Sequence, residues 1–207
     1  MILTLLDYAA VVVFALTGAL AASRAQLDIV GFAFLACLTA VGGGTLRDLL
    51  LDRNPVFWIA DPGIILTACG AAFFVFFTAH LVESRLRWLL WLDTFALAVA
   101  VAAGTGVALK LEQPALIVLI MGVTTGTFGG LMRDVVANEV PVILRQGELY
   151  ATAALAGSGA ALVLLELGLG SDIALLGCAA VTWALRAGSL RWGWMLPVYK
   201  SRPPREK

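Results

Sequence analysis

Six charged residues stand where a greasy chain should carry none. Arg47-Asp48 and Arg133-Asp134 close long apolar stretches, and Asp7 and Asp93 sit near the start of two others. An ionisable side chain at membrane depth is expensive, so it faces an opposite charge or an aqueous cavity. Carboxylates and guanidinium groups in such a place can pair with one another and bias the passage of small ions. They do not suggest catalysis. The chain has one histidine, no cysteine set beside a base, and no Cys/His spacing that would hold a metal. No catalytic residue, cofactor or fixed metal is therefore expected, and the protein is read as a non-enzyme.

The charged residues belong to a repeated phrase. Gly43-Gly44-Thr45-Leu46-Arg47-Asp48 is echoed by Gly129-Gly130-Leu131-Met132-Arg133-Asp134 at an offset of 86 residues. The same offset superposes Asp7 on Asp93, Gly18 on Gly104, Thr39 on Thr125 and Pro55 on Pro141. Apolar matches arise by chance in such a sequence, but these do not. The chain contains an internal duplication.

The elements that position these residues follow from composition. The chain is 61% hydrophobic and 14% charged, against roughly a quarter charged in a soluble domain. Runs of about 20 apolar residues cross a hydrocarbon core of about 30 Å, and backbone polar groups there must be satisfied within the segment. The fold class is an all-α membrane protein. Seven transmembrane helices are expected near 3–22, 29–51, 63–82, 89–109, 115–137, 149–167 and 172–189. The first lacks the basic leader of a signal peptide, and its Asp7 has a repeat partner, so it is assigned to the mature fold.

With these spans, eleven Lys and Arg fall on the C-terminal side of the membrane and three (Arg47, Arg53, Lys110) on the N-terminal side. That bias places the C-terminus in the cytoplasm and the N-terminus outside. Trp88, Trp91, Trp192 and Trp194 read as an inner aromatic belt and Trp58 as an outer one. His80 and Glu83 read as headgroup contacts, and the tail from Lys200 to Lys207 as a positive-inside determinant or a lipid contact. Cys37, Cys69 and Cys178 read as small packing residues within spans.

Three organisational units result: 1–88 and 89–168, each a three-helix repeat, and 169–207, a seventh helix with a basic tail. An odd number of spans turns the second copy over, giving inverted repeats, an architecture recurrent in transport proteins. Gly42-Gly43-Gly44 in the second span, and Gly129-Gly130 in the fifth, predict a kink or an unwound turn, since each interior glycine costs a helix about 1 kcal/mol. Carbonyls freed there suit a monovalent cation. Gly122 and Gly126 read instead as a packing stripe. Thr39 and Thr125, one turn before the glycines, either line a pathway or bond their own helix. The geometry further predicts ion pairs Asp7–Arg47 and Asp93–Arg133 at the two mouths of a pathway; the competing reading has Arg and Asp capping helix ends at the headgroups.

The doubled Gly-Gly-x-x-Arg-Asp phrase in two three-helix repeats plus a seventh span resembles the prokaryotic TRIC (trimeric intracellular cation channel) family. A related bacterial domain carries the label glycine transporter. The resemblance implies a homotrimer in the bacterial inner membrane, one pore per subunit lined by the first, second, fourth and fifth spans, and potassium as the main permeant ion. It carries over to Gly42, Gly43, Gly44, Arg47 and Asp48, and to Gly129, Gly130, Arg133 and Asp134. Phe128 stands where the first copy has Gly42, so the fifth span bends less or Phe128 acts as a steric gate. The implied partners are membrane lipid and monovalent cations, with no nucleic acid. A secondary transporter of a small solute such as glycine is the alternative function.

Overall fold

The computed structural model describes residues 2–81 and 85–199. Within these, eight α-helices run in order: α1 Ile2–Arg24, α2 Ile29–Leu50, a one-turn α3 Phe57–Ala60, α4 Gly63–Thr78, α5 Arg85–Lys110, α6 Ala115–Val136, α7 Ala151–Glu166 and α8 Ser171–Trp192. A 3₁₀ turn, Ala79–Leu81, extends α4, and another, Val142–Leu144, precedes α7. Among the described residues six helices, counting α4 with its 3₁₀ extension, are long and apolar enough to cross a membrane. The expected sixth span is the short one: α7 has 16 residues, about 24 Å at 1.5 Å per residue. Glu83 and the tail 200–207 lie outside the described residues.

The helices stop where the chain chemistry stops them. Asp28 caps α2, its carboxylate accepting from the Gly31 N–H at 2.8 Å, which satisfies one of the unpaired donors of a helix start. Pro114 precedes α6, and Gly193, in the left-handed region at φ 69°, ends α8, as a residue without Cβ can.

Packing follows the duplication. α1 packs on α2 and α4, and α2 on α4; in the second half α5 packs on α6 and α7, and α6 on α7. The halves join through α1 against α5 and α2 against α6. α8 lies outside this scheme and packs on α5 and α7. It is the reason α5 is the most enclosed of the long helices, with 78% of its apolar window buried.

The predicted unwound turns are absent. α2 is helical through Gly42, Gly43 and Gly44, and α6 through Gly129 and Gly130, so no carbonyl leaves the ladder there to bind a cation. The glycines serve close approach. A Cβ at Gly43 would collide with the carbonyl oxygen of Thr125, and one at Gly129 with that of Thr39. Both pairs are exchanged by the 86-residue offset, so α2 and α6 cross backbone to backbone at equivalent points. Gly18 against Leu35 and Thr39, and Gly104 against Met121 and Thr125, repeat the device between α1 and α2 and between α5 and α6. Small residues let helices approach closely where no hydrophobic effect drives them together. That tertiary contact overrides the low helix propensity of glycine. Gly122 and Gly126 are packing positions too, against Ser158 and Thr105, and against Val101 and Leu97.

Alanine substitution separates the two kinds of glycine. Gly43→Ala or Gly129→Ala must push two backbones apart and is expected to destabilise by about 1–3 kcal/mol, the usual cost of overpacking. Gly70→Ala in α4, where a Cβ would meet nothing within 4 Å, should be neutral or stabilising. Thermal unfolding in detergent checks the contrast.

Candidate functional site: two buried arginine clamps about the helix crossing

Arg47 is fully buried one turn before the end of α2. Its Nη1 donates to Asp7 Oδ1 on α1 at 3.0 Å, and its Nε to Asp48 Oδ1 at 2.8 Å. The second oxygen of Asp48 accepts the backbone N–H of Phe57 at 2.8 Å. The Arg-Asp dipeptide thus does two jobs: the arginine reaches across to α1, and the aspartate ties down the first turn of α3, just after Pro55. The Phe57 ring then covers the guanidinium at 5.3 Å, and it occupies the space that a side chain at Gly44 would need.

The second half repeats this geometry. Arg133 Nη1 donates to Asp93 Oδ1 on α5 at 2.8 Å, and its Nε to Asp134 Oδ1 at 2.8 Å. Asp134 Oδ2 accepts the Val142 N–H at 2.9 Å, at the start of the 3₁₀ turn after Pro141. Both expected ion pairs are formed, each on an arginine fully buried within the protein. The clusters differ in burial: the Asp7 side chain keeps 15% of its surface, whereas Asp93 keeps none. Each guanidinium is shared by two carboxylates, and that sharing offsets the several kcal/mol that each buried ion loses in leaving water. Arg53 Nη1, 3.4 Å from Asp48 Oδ1, adds a half-exposed cation to the first cluster.

Beside the first clamp, α1, α2, α5 and α6, with Phe57 of α3, line a cavity of about 10 Å³, room for about one water. Asp7 and Arg47 line one end; Gly43, Ala100, Ala103 and Thr125 lie deeper. Thr125 keeps its hydroxyl unpartnered and buried, whereas Thr39 bonds the carbonyl of Leu35 at 2.6 Å and does not line the cavity. The two threonines, equivalent in sequence, therefore differ in chemistry. Gly42 faces the Met132 sulfur on α6. Phe128 is half-buried and does not line this cavity.

The sequence profile of the family described as Glycine transporter matches this chain twice, over residues 4–80 and 90–166. The chain belongs to that family. The two matches start 86 residues apart, and each contains one Arg-Asp clamp, so the duplication is a duplication of the family's domain. A UPF0126 membrane protein of Vibrio cholerae is 41% identical, covering 96% of this chain and 83% of the relative. The UPF0126 inner membrane protein YadS of Escherichia coli K12 is 37% identical, covering 94% of each chain. The solved structure of a TRIC trimeric intracellular cation channel orthologue from Rhodobacter sphaeroides superposes with a TM-score of 0.89 at 46% identity, covering 92% of this chain and 98% of that one. The fold is that of an all-helical TRIC-like membrane protein.

Three functional candidates in this glycine-transporter-family chain escaped the sequence reading. Arg186 of α8, counted there only as a positive-inside charge, is fully buried. Its guanidinium lies 5.1 Å from the centre of the Tyr150 ring, and its Nη2 lies 2.7 Å from Glu148 Oε2. None of the three has a counterpart in the first half, so the repeat could not flag them; a basic residue one turn inside a predicted span end was the only signal. Cys37 and Cys69, read as small packing residues, bring their sulfurs to 3.6 Å without a disulfide.

Breaking a clamp leaves a buried charge unpaired, which costs about 3–5 kcal/mol. Arg133→Gln and Asp93→Asn are expected to lower detergent stability more than Asp7→Asn, because Asp7 retains solvent. Exchanging the charges of Asp7 and Arg47 should not rescue either single variant, since the exchange sets a carboxylate beside Asp48. Melting temperatures of the purified variants test both statements.

Proposed function

We propose that this protein is a channel for monovalent cations, mainly potassium, with one pathway in each subunit along the α2–α6 crossing. The observation that carries the reading is the central cavity, bounded by Asp7 and lined by the unpartnered Thr125 hydroxyl, in a chain 46% identical to a TRIC cation channel orthologue. A carboxylate at a mouth concentrates cations, and a path of hydroxyls without a ring of midplane carboxylates discriminates weakly among them. Three crossings per copy invert the second repeat about an axis in the membrane plane. The two clamps then stand at opposite ends of one pathway, the Asp7 end outside and the Asp93 end cytoplasmic.

Asp48 and Asp134 shape the mouths by fixing the turns that follow α2 and α6. The glycines at 42, 43, 44, 129 and 130, with Thr39, set the closeness of the crossing, and Phe128 is a steric element beside it. At about 10 Å³ the cavity is too small for a hydrated ion, so conduction through it requires it to widen. Opening requires movement of the aromatic lids or of the crossing, not ligation by unwound carbonyls. The setting is the bacterial inner membrane, as for YadS, with lipid as partner and a homotrimeric assembly, in keeping with the trimeric channel name of the Rhodobacter sphaeroides orthologue.

A carrier of a small solute such as glycine is the alternative, and the family's description is the observation on its side. Against it, α2 and α6 are unbroken, so no unwound midplane segment in them presents backbone groups to a zwitterion. Purified protein in a planar bilayer separates the two. Unitary currents well above about 10³ ions per second, beyond typical turnover numbers, are expected, with potassium modestly preferred over sodium. Saturable glycine uptake without unitary currents would replace the channel reading with the carrier.

A further inference from the structure

The two clamps carry different lids. Over Arg47 the lid is Phe57, held through its own backbone N–H by Asp48. At the second clamp the lid is Tyr150, at the head of α7, and it is gripped from elsewhere in the molecule. Gly130 makes room for it: a Cβ there would lie 3.1 Å from the Tyr150 hydroxyl, 3.5 Å from Asp93 Oδ1 and 3.7 Å from Arg133 Nη2. The phenol hydroxyl therefore lies beside the clamp, buried and without a hydrogen-bond partner of its own. On its other side the ring lies 5.1 Å from the Arg186 guanidinium, which Glu148 Oε2 approaches at 2.7 Å. Cation–π contacts of this kind are strongest when desolvated, as here.

The loop bearing Tyr150 is also stitched to the end of α8 and the segment beyond it. Leu149 N–H donates to Ser189 Oγ at 3.2 Å and Leu196 N–H to the Gly147 carbonyl at 2.8 Å, while Glu148 and Met195 form an antiparallel bridge. Ile64 occupies the repeat position of Tyr150, so the first half has no such ring. We propose that Tyr150, held by Arg186, which is itself paired with Glu148, is a latch that keeps the Asp93–Arg133 end of the pathway closed, with α8 and residues 193–199 as its handle. The latch rests on the reading of a pathway between the repeats. It gives the one helix without a repeat partner a regulatory role. Displacement of the segment after α8 withdraws Tyr150 from Gly130 and admits water to the clamp.

Two measurements test this in protein whose native cysteines are replaced by alanine. In the first, Leu97→Cys reports access. Leu97 lies one turn inward from Asp93, and its repeat equivalent, Val11, lines the cavity at the other end. An impermeant thiol reagent applied from the Arg186 side should modify this cysteine at least about tenfold faster when Arg186→Met or Glu148→Gln is added, and the same substitutions should raise the open fraction in planar bilayers. In the second, Gly147→Cys with Met195→Cys ties loop to handle, since a Cβ at 147 would lie 3.4 Å from that of Met195, near the separation of a disulfide. Oxidation should hold the channel shut and reduction should restore the parent's open fraction, which also controls for folding. Modification rates unchanged in Glu148→Gln, or an oxidised cross-link that leaves opening unaltered, overturn the latch. Faster modification with no unitary current from any variant, the parent included, keeps the latch and removes the channel reading instead.

Discussion

A guanidinium with no access to water needs an opposite charge beside it, and that requirement governs the architecture. Arg47 and Arg133 each bind one aspartate from the preceding long helix and one from the next position in sequence. The distant partner draws α1 onto α2 and α5 onto α6. The adjacent partner has an oxygen to spare, and it binds a backbone N–H of the turn that leaves the helix. One side chain thereby sets a helix pairing and the path of the chain that follows. Loss of any member strands a charge in a low-dielectric interior, so the members act as a unit.

The glycines answer a second constraint, that helices in lipid gain little from burying apolar surface and must gain from contact. At the α2–α6 crossing, Gly43 and Gly129 bring the backbones together at points related by the repeat, and Gly18 and Gly104 do the same within each half. Gly44 and Gly130 have another use. They leave room beside each arginine for an aromatic ring, phenyl in one half and phenol in the other. The clamps, the crossing and the lids thus form one continuous structure about a small cavity, the arrangement on which the proposed ion pathway depends.

The symmetry is broken by α8. It covers α5, buries Arg186, and holds the loop before α7 by side-chain and backbone bonds that the first half lacks. The two ends of the crossing are therefore equivalent in their charges but different in their lids and burial, Asp7 touching solvent and Asp93 not. A duplicated domain with one added helix can in this way present two unlike faces from the same motif.

The all-helical membrane class, the duplication and the pairing of Asp7 with Arg47 and of Asp93 with Arg133 were legible in the amino-acid sequence. Apolar length fixes a span, and polar residues recurring at one offset cannot be fortuitous in so apolar a chain. Four features were decided only by the tertiary structure. Gly42 to Gly44 remain helical because a neighbouring backbone stabilises what intrinsic propensity disfavours. Thr39 and Thr125 diverge because one hydroxyl turns back to its own helix and the other faces the cavity. Cys37 meets Cys69 because α2 packs on α4. Arg186 is a buried cation rather than a membrane-surface charge because Glu148 and Tyr150, 38 and 36 residues away, fold back to receive it. Local pattern reports what a segment is. What a side chain does depends on which surface arrives opposite it, and that is a property of the packed whole.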